Sequence, residues 1–264
     1  MAKENATPTR LIFGQNSKLS RTMHDIRYDE VNDELWVGQP FAGAILVFRG
    51  GANGEEAPIR VIQGPKTQLE GPDRLEVDAV NNEIYVPEYG NAILVYSRTA
   101  NGDVPPLRKI QGKMTQLKSV RSLSVDTIRN LLVAGTQARG PKGEQYGVLL
   151  TYDRKAQGDA APLRVIEGDK TEIVRITQTA IYEPKGWILA AQAGTHEALH
   201  PDDGFLGVWH INDNGNVAPR WKLRGPSSTL IKPRGIALIP KHKEIVVSDM
   251  AQNAVMSYYF PEVF

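Results

Sequence analysis

The stretch Pro106-Leu-Arg-Lys-Ile-Gln-Gly112 recurs along this chain at intervals of about 50 residues, and this repetition decides the fold. The other internal copies are Pro58-Ile-Arg60 running to Gly64, Pro162-Leu-Arg164 to Gly168 and Pro219-Arg-Trp221 to Gly225. One more copy, Pro8-Thr-Arg10 to Gly14, stands at the start, whereas the last unit stops at Phe264 without one. The segment that the last unit lacks is thus present at the start of the chain. Such a tandem array predicts a closed ring, in which the first residues complete the last unit.

Every unit carries four short strand signals in the same order. In the second unit, 74–78 and 83–87 alternate between apolar and polar residues, and 92–96 is a short apolar run. Asn101-Gly102 is a strong turn signal ahead of the fourth strand at 106–112. Five such units predict an all-β fold, a five-bladed β-propeller of four-stranded antiparallel blades.

The N-terminal copy predicts how the ring closes. Residues 7–14 are expected to form the outer strand of the fifth blade, with Leu11 and Phe13 buried. Proline lacks an N–H donor and arginine adds a charge, which suits a sheet edge, so the repeat arginines are interpreted as edge protection rather than as ligands. We expect one domain over 7–264 after a loose tail at 1–6.

Two stretches resemble a known propeller repeat. Pro233-Arg-Gly-Ile-Ala237 is similar to the first strand of the NHL-type repeat, and Glu83-Ile-Tyr-Val-Pro-Glu-Tyr-Gly-Asn-Ala-Ile-Leu-Val-Tyr96 resembles its core. The resemblance covers nearly the whole chain, although six or seven units are commoner and the third and fourth units match poorly after their second strands. It implies a propeller fold and leaves the activity open, since NHL-type proteins bind proteins, bind nucleic acids or act as enzymes.

Composition limits the classes of partner and of chemistry that this chain can have. The chain has 31 Lys plus Arg against 30 Asp plus Glu, so no net field favours nucleic acid or an anionic membrane as a partner. Cysteine is absent, which excludes disulfides, thiolate metal sites and a cysteine nucleophile. The first residues are polar and no apolar run approaches the ~18 residues of a membrane span, so a cytoplasmic protein is the expectation. The sequence does not indicate an oligomeric state.

Two long insertions indicate where function is located. Both 137–146 and 195–204 fall in connections between second and third strands. In this fold those connections share a face with the connections that lead into first strands. Loops on a rigid scaffold commonly carry function, so we expect the site on this face, at the mouth of the central channel.

The repeat register predicts which residues surround that mouth. They begin first strands or end second strands, and they differ from blade to blade. The candidate ligand-binding residues are Arg74, Arg121, Arg234, His24, Asp25, Asp73, Glu88, Gln178 and Asp249. Because guanidinium groups fork onto carboxylates and phosphates, we predict that Arg121 and Arg234, with Arg74 as a third donor, bind a small anionic group.

The alternative for these arginines is a self-neutralised network. In that interpretation Asp25, Asp73 and Glu88 balance the positive charges and no ligand is required. Any propeller must also diversify its mouth, because identical charges around one axis repel one another.

A metal-dependent enzyme is the most specific catalytic hypothesis. His196 and His200 share a loop with Asp202 and Asp203, and such side chains suit zinc. However, His-x-x-x-His is a helical ligand spacing, and the residues that follow form a turn. We therefore expect two solvated histidines that do not chelate one ion. No nucleophile elbow, phosphate loop or dinucleotide fingerprint is present.

These observations leave more than one function open. The leading hypothesis is a propeller that binds a small anionic ligand or a protein partner through the loop-rich face, without a predicted cofactor. A metal-dependent hydrolase or lyase at the same mouth is the alternative, since scattered acidic residues permit a divalent cation. A structural interaction module is the third possibility.

Overall fold

A computed structural model describes residues 7–88, 91–141, 143–195 and 198–264. The protein is an all-β five-bladed propeller, and the described residues contain 3-10 turns but no α-helix. Contacts divide the chain into two units, Met1–Tyr89 with Leu94–Leu107, and Gly90–Ile93 with Arg108–Phe264. No helix among the described residues is long and apolar enough to cross a membrane. The tail at 1–6 lies outside the described residues, and one domain over 7–264 stays a prediction.

The strands follow the sequence pattern closely. Blade 1 consists of β1 (Asp25–Asp29), β2 (Glu34–Gln39), β3 (Ala44–Arg49) and β4 (Arg60–Gln63). Blade 2 consists of β5 (Glu76–Asp78), β6 (Glu83–Glu88), β7 (Ala92–Ser97) and β8 (Arg108–Ile110). Blade 3 consists of β9 (Ser122–Asp126), β10 (Leu131–Arg139), β11 (Gln145–Asp153) and β12 (Arg164–Ile166).

The last two blades differ from each other in strand number. Blade 4 consists of β13 (Ile176–Tyr182), β14 (Trp187–Gln192), β15 (Phe205–His210) and β16 (Trp221–Leu223). Blade 5 consists of β17 (Pro233–Ile239), β18 (Glu244–Asp249) and β19 (Ala254–Tyr259). Neighbouring strands within the blades pair antiparallel, as expected.

A buried hydroxyl shapes each connection into a first strand. The side chain donates to the carbonyl of the repeat glycine three residues earlier at 2.6–2.7 Å and accepts an N–H two residues later at 3.2–3.3 Å. The hydroxyl residues are Ser17, Thr67, Thr115, Thr171 and Ser228. The same local structure therefore precedes all five blades.

Successive blades are joined by a pair of hydrogen bonds from an Asn-Gly turn, which we call the Asn-Gly clamp. In the first unit, Val61 N–H donates to Asn101 Oδ1 at 3.0 Å, and Gly102 N–H donates to the carbonyl of Val61 at 2.6 Å. In the second unit, Asn214 and Gly215 hold Val165 in the same way, at 2.8 and 2.6 Å. The turn between strands three and four of one blade thus binds the fourth strand of the blade before it.

The N-terminal segment is bound by the same kind of clamp, which Asn53 and Gly54 of blade 1 form. Leu11 N–H donates to Asn53 Oδ1 at 2.9 Å, and Gly54 N–H donates to the Leu11 carbonyl at 2.7 Å. The segment therefore has the register of a fourth strand that precedes blade 1. It forms no regular strand, however, and the sheet of blade 5 contains three strands among the described residues instead of the four expected.

The expected burial of Leu11 and Phe13 is wrong. Their side chains are 56% and 50% exposed, whereas Ile12 between them is partly buried. Ile12 occupies the position that Ile62 has in β4, where the side chain is fully buried. Since successive side chains of an extended segment point to opposite faces, burying Ile12 turns its two neighbours outward.

The C-terminal tail, residues 260–264, packs within the second unit. Val263 is fully buried, and the Phe264 ring meets Tyr182 edge to face at 5.0 Å between ring centroids. Phe260 meets Trp221 of β16 in the same manner at 6.2 Å. Aromatic pairs of this kind add to the stabilisation from area burial, so the tail covers part of blade 4.

Candidate functional site

The residues that end second strands hold the connections into first strands. In the first unit, Glu88 Oε2 accepts N–H bonds from Glu70 and Gly71 at 3.1 and 3.0 Å. In the second unit, Asp249 Oδ2 accepts from Ile231 and Lys232 at 2.8 and 2.7 Å. Both carboxylates are buried, so these two predicted ligand residues bind backbone amides of their own blades.

In the first unit the predicted mouth residues pair with one another. His24 Nδ1 contacts the carboxylate of Asp73, and Arg74 Nη1 donates to the same carboxylate at 3.2 Å and to the carbonyl of His24 at 3.2 Å. The Arg74 charge is therefore balanced locally. Arg74 thus has the carboxylate partner that the self-neutralised alternative requires, and its role as a third donor to an anion stays a prediction.

Asp25 belongs to a second ion-pair network in the same unit. Its Oδ2 accepts the Leu75 N–H at 3.0 Å, and its Oδ1 accepts from Arg27 Nη1 at 3.0 Å. Arg27 also pairs with Glu76 at 3.1 Å. Burial raises the pKa of Asp25, and the positive charge of Arg27 opposes that rise. Sequence reasoning missed Arg27, although it follows Asp25 by two residues and so lies on the same strand face.

In the second unit, the charges of three arginines act on one another. Arg121 precedes β9, Arg175 precedes β13, and Arg234 is the second residue of β17. Burial and the positive charges of Arg234 and Arg121 lower the pKa of Arg175. Among the described residues, neither Arg121 nor Arg175 forms an ion pair with a carboxylate.

Two donors of Arg175 are buried and unsatisfied. Its Nε and Nη2 atoms have no hydrogen-bond partner among the residues that the structure describes. Buried polar groups are nearly always hydrogen-bonded, and an orphaned donor costs about 1–3 kcal/mol, more when it is charged. Arg234, in contrast, is exposed and its Nη1 lies 3.5 Å from the Met250 sulfur.

Gln178 and Thr177 link blades 4 and 5. Gln178 Oε1 accepts the Ile236 N–H at 2.9 Å, and Thr177 Oγ1 donates to the carbonyl of Pro233 at 3.1 Å. Thr177 is buried, although it lies as far from its repeat glycine as Arg121 and Arg234 do from theirs. The predicted ligand residue Gln178 is thus bound to protein backbone.

Sequence reasoning missed Arg175 because it lies outside the aligned strand starts. It stands seven residues after Gly168, and Lys232 stands seven residues after Gly225. Lys232 is buried and donates from Nζ to the carbonyl of Ala198 at 2.5 Å. Basic residues at one loop position in two neighbouring blades were the available signal.

The insertions differ from their expected form. Half of 137–146 extends the β10–β11 hairpin, in which Ala138 pairs with Tyr146, and 140–144 connects the strands. Tyr146 lines a cavity of about 760 Å³ together with Glu144, Glu167, Asp169 and Ile173. In the other insertion, His200 is exposed and lines a cavity of about 540 Å³.

The structure describes one of the two histidines of the metal hypothesis, His200. His196 lies outside the described residues, so its relation to His200 stays a prediction. No group of three or more His, Cys, Asp and Glu side chains among the described residues is arranged to hold a metal ion. Asp203 of this loop accepts bonds from the backbone and hydroxyl of Thr195 at 3.2 and 3.1 Å.

No protein-family model and no curated protein sequence matches this chain. The NHL-type resemblance therefore rests on the residues quoted above and on the propeller fold.

Proposed function

We propose that this protein is a binding propeller of NHL type that holds a small oxyanion between Arg121, Arg175 and Arg234. The observation that carries the proposal is Arg175, a partly buried guanidinium with two unsatisfied donors and two positively charged neighbours. Burying a charge is costly unless it is paired, and like charges nearby increase that cost. An anion removes both costs at once.

The contrast between the two units supports this function. In the first unit Arg27 and Arg74 each have a carboxylate partner, so they need no ligand. In the second unit the described residues supply no carboxylate to Arg121 or Arg175. The same fold thus contains a neutralised arginine network and an unneutralised one, and the second is the better anion receptor.

Calorimetric titration of the full chain with sulfate tests the proposal. We expect one binding site, and about tenfold weaker binding in Arg121→Gln and Arg234→Gln, because each removes one charge-assisted contact. Arg220→Gln is the matched control, since Arg220 is a surface arginine that pairs with Asp213 at 2.6 Å. Absence of binding by sulfate, phosphate and carboxylates alike would overturn the proposal, as would an equal loss in Arg220→Gln.

A further inference from the structure

We propose that Asn53 is a site of spontaneous deamidation, and that the isoaspartate formed there releases residues 10–13 from blade 1. The inference is independent of the proposed anion site, because it rests on the geometry of the Asn-Gly clamps.

Three Asn-Gly pairs occupy the same place in their repeats. They are Asn53-Gly54, Asn101-Gly102 and Asn214-Gly215. In such a pair the backbone nitrogen of glycine attacks the side-chain carbonyl of asparagine readily, because glycine has no side chain to shield it. All three asparagines are exposed, so solvent reaches each of them. Local sequence therefore makes all three sites susceptible to deamidation.

The reaction consumes one molecule of solvent water and releases one molecule of ammonia. A bond forms between Gly54 N and Asn53 Cγ, and the bond from Cγ to the side-chain nitrogen breaks. That nitrogen leaves as ammonia, with the proton of the Gly54 N–H. Water then opens the cyclic succinimide to aspartate or to isoaspartate. In isoaspartate the main chain runs through Cβ and Cγ, so the backbone is one atom longer.

A closed clamp opposes this reaction. Gly54 N–H donates to the Leu11 carbonyl at 2.7 Å, so the nitrogen that must attack is engaged. Asn53 Oδ1 accepts the Leu11 N–H at 2.9 Å, which holds the side-chain amide to the same segment. Deamidation therefore proceeds while the clamp is open, and its rate reports the fraction of time that the clamp spends open.

The three clamps differ in what must move for them to open. The clamps of the later repeats hold Val61 of β4 and Val165 of β12, and both strands pair with the third strand of their blade. Residues 10–13 belong to no sheet among the described strands and form one isolated bridge. Leu11 is exposed, whereas Val61 and Val165 are partly buried. Since segments with few contacts open at the lowest cost in free energy, the Asn53 clamp is open most often.

Isoaspartate at position 53 prevents the clamp from closing again. Leu11 bonds through its own N–H and carbonyl to two successive residues, so the clamp requires the normal spacing between Asn53 Oδ1 and Gly54 N. One more main-chain atom changes that spacing, and the two bonds no longer form together. Aspartate keeps an acceptor oxygen at the normal spacing and retains the clamp.

Peptide mapping by mass spectrometry, after incubation of the full chain at mildly alkaline pH, measures the three rates side by side. We expect Asn53 to deamidate roughly tenfold faster, or more, than Asn101 and Asn214 in the folded protein. In concentrated urea the clamps are open, so the three rates should converge. A rate at Asn53 that does not exceed the other two, or the same ranking in urea, would overturn the assignment.

Tryptic cleavage after Arg10 under native conditions measures the release. We expect aged wild-type protein to be cleaved there faster than fresh protein, because the Leu11 backbone is no longer held. Asn53→Gln is the matched control, since Gln157-Gly158 stands at this position in a later repeat and glutamine forms the larger cyclic intermediate more slowly. Its cleavage should not change with age.

Asn53→Asp separates the new charge from the longer backbone. Fresh Asn53→Asp should be cleaved after Arg10 as slowly as fresh wild type, because aspartate retains the acceptor. Unchanged cleavage of aged wild-type protein, or fast cleavage of fresh Asn53→Asp, would overturn the release by isoaspartate and leave the deamidation site standing.

Discussion

The side-chain oxygen of Gln192 accepts the backbone N–H of Arg175 at 2.6 Å. The same kind of contact recurs where β2 ends, because Gln39 Oε1 accepts the Ser20 N–H at 2.7 Å. In blades 1, 2, 4 and 5 the second strand therefore ends in a side chain that accepts an N–H bond from the preceding connection of the same blade. In blade 4 this contact holds the backbone that carries the Arg175 side chain.

Gln192→Ala should make the Arg175 backbone less firmly held. The Arg175 N–H loses its acceptor, so we expect a loss of about 1–3 kcal/mol in the free energy of unfolding and weaker sulfate binding. Urea denaturation and calorimetric titration measure the two effects. Gln192→Glu retains an acceptor oxygen and should lose less stability, so equal losses in the two variants would contradict this role.

Arg175→Gln and Arg27→Gln should differ in the sign of their effect on the stability of the fold. Removing Arg175 relieves repulsion and the burial of an unpaired charge, so the melting temperature should stay constant or rise. Removing Arg27 leaves Asp25 and Glu76 without their shared partner, and we expect a loss of about 3–5 kcal/mol. Thermal unfolding at pH 7 distinguishes them. A large fall in both variants would show that Arg175 is part of a satisfied network.

Asp25→Asn should change how stability depends on pH. Burial raises the pKa of Asp25 in the folded protein above 3.8, so the folded state binds its proton more tightly than the unfolded state does. The contribution of this group to stability is present below pH 3.8 and is lost as pH rises through the folded pKa. The stability of Asp25→Asn relative to wild type should therefore increase between pH 3 and pH 7.

Urea denaturation across that pH range measures the effect. Asp169 is a control of opposite sign, because its hydrogen bond from Asn216 lowers its pKa. The relative stability of Asp169→Asn should fall as pH rises through the same range. A pH-independent difference for Asp25→Asn would contradict the assigned shift.

The Asn-Gly clamp should contribute measurably to stability. Asn101→Ala leaves the Val61 N–H without its acceptor, and Asn214→Ala does the same to Val165. We expect each to lower the free energy of unfolding by about 1–2 kcal/mol, because the released amide lies beside a packed strand. Asn53→Ala should cost less, since Leu11 is exposed and water can replace the lost bond. Equal effects in all three variants would argue against this ranking.

The fold could be predicted because local signals repeat. The second strand of blade 2 was predicted at 83–87 and is observed at Glu83–Glu88, since alternation and turn residues fix it locally. The exposure of Leu11 and Phe13 could not be predicted in this way. It depends on which side chains of the extended N-terminal segment face the blade when the clamp binds its backbone. The extension of 137–146 into a hairpin likewise depends on cross-strand pairs such as Ala138 with Tyr146.

The candidate site was predicted in part. Repeat register predicted Arg121 and Arg234, and the positive charges of both lower the pKa of Arg175, which precedes β13 and was not predicted. Alignment of repeats gives the position of a backbone but not the direction of a long side chain. It also does not show which carboxylate is already engaged: Asp73 accepts from Arg74, and Glu88 and Asp249 accept backbone N–H bonds. The ligand role of Arg74, Glu88 and Asp249 stays a prediction.

The Asn-Gly clamp has a consequence for how arrays of this kind change in length. A segment that runs from one repeat glycine to the next carries both a strand to be held and the turn that holds the strand before it, as Val61 and Asn101 do at one junction. Where the turn is Asn-Gly, duplicating or deleting such a segment leaves a strand beside a matching turn. At those junctions repeat number can therefore vary by recombination at the glycines without a compensating substitution in the clamp.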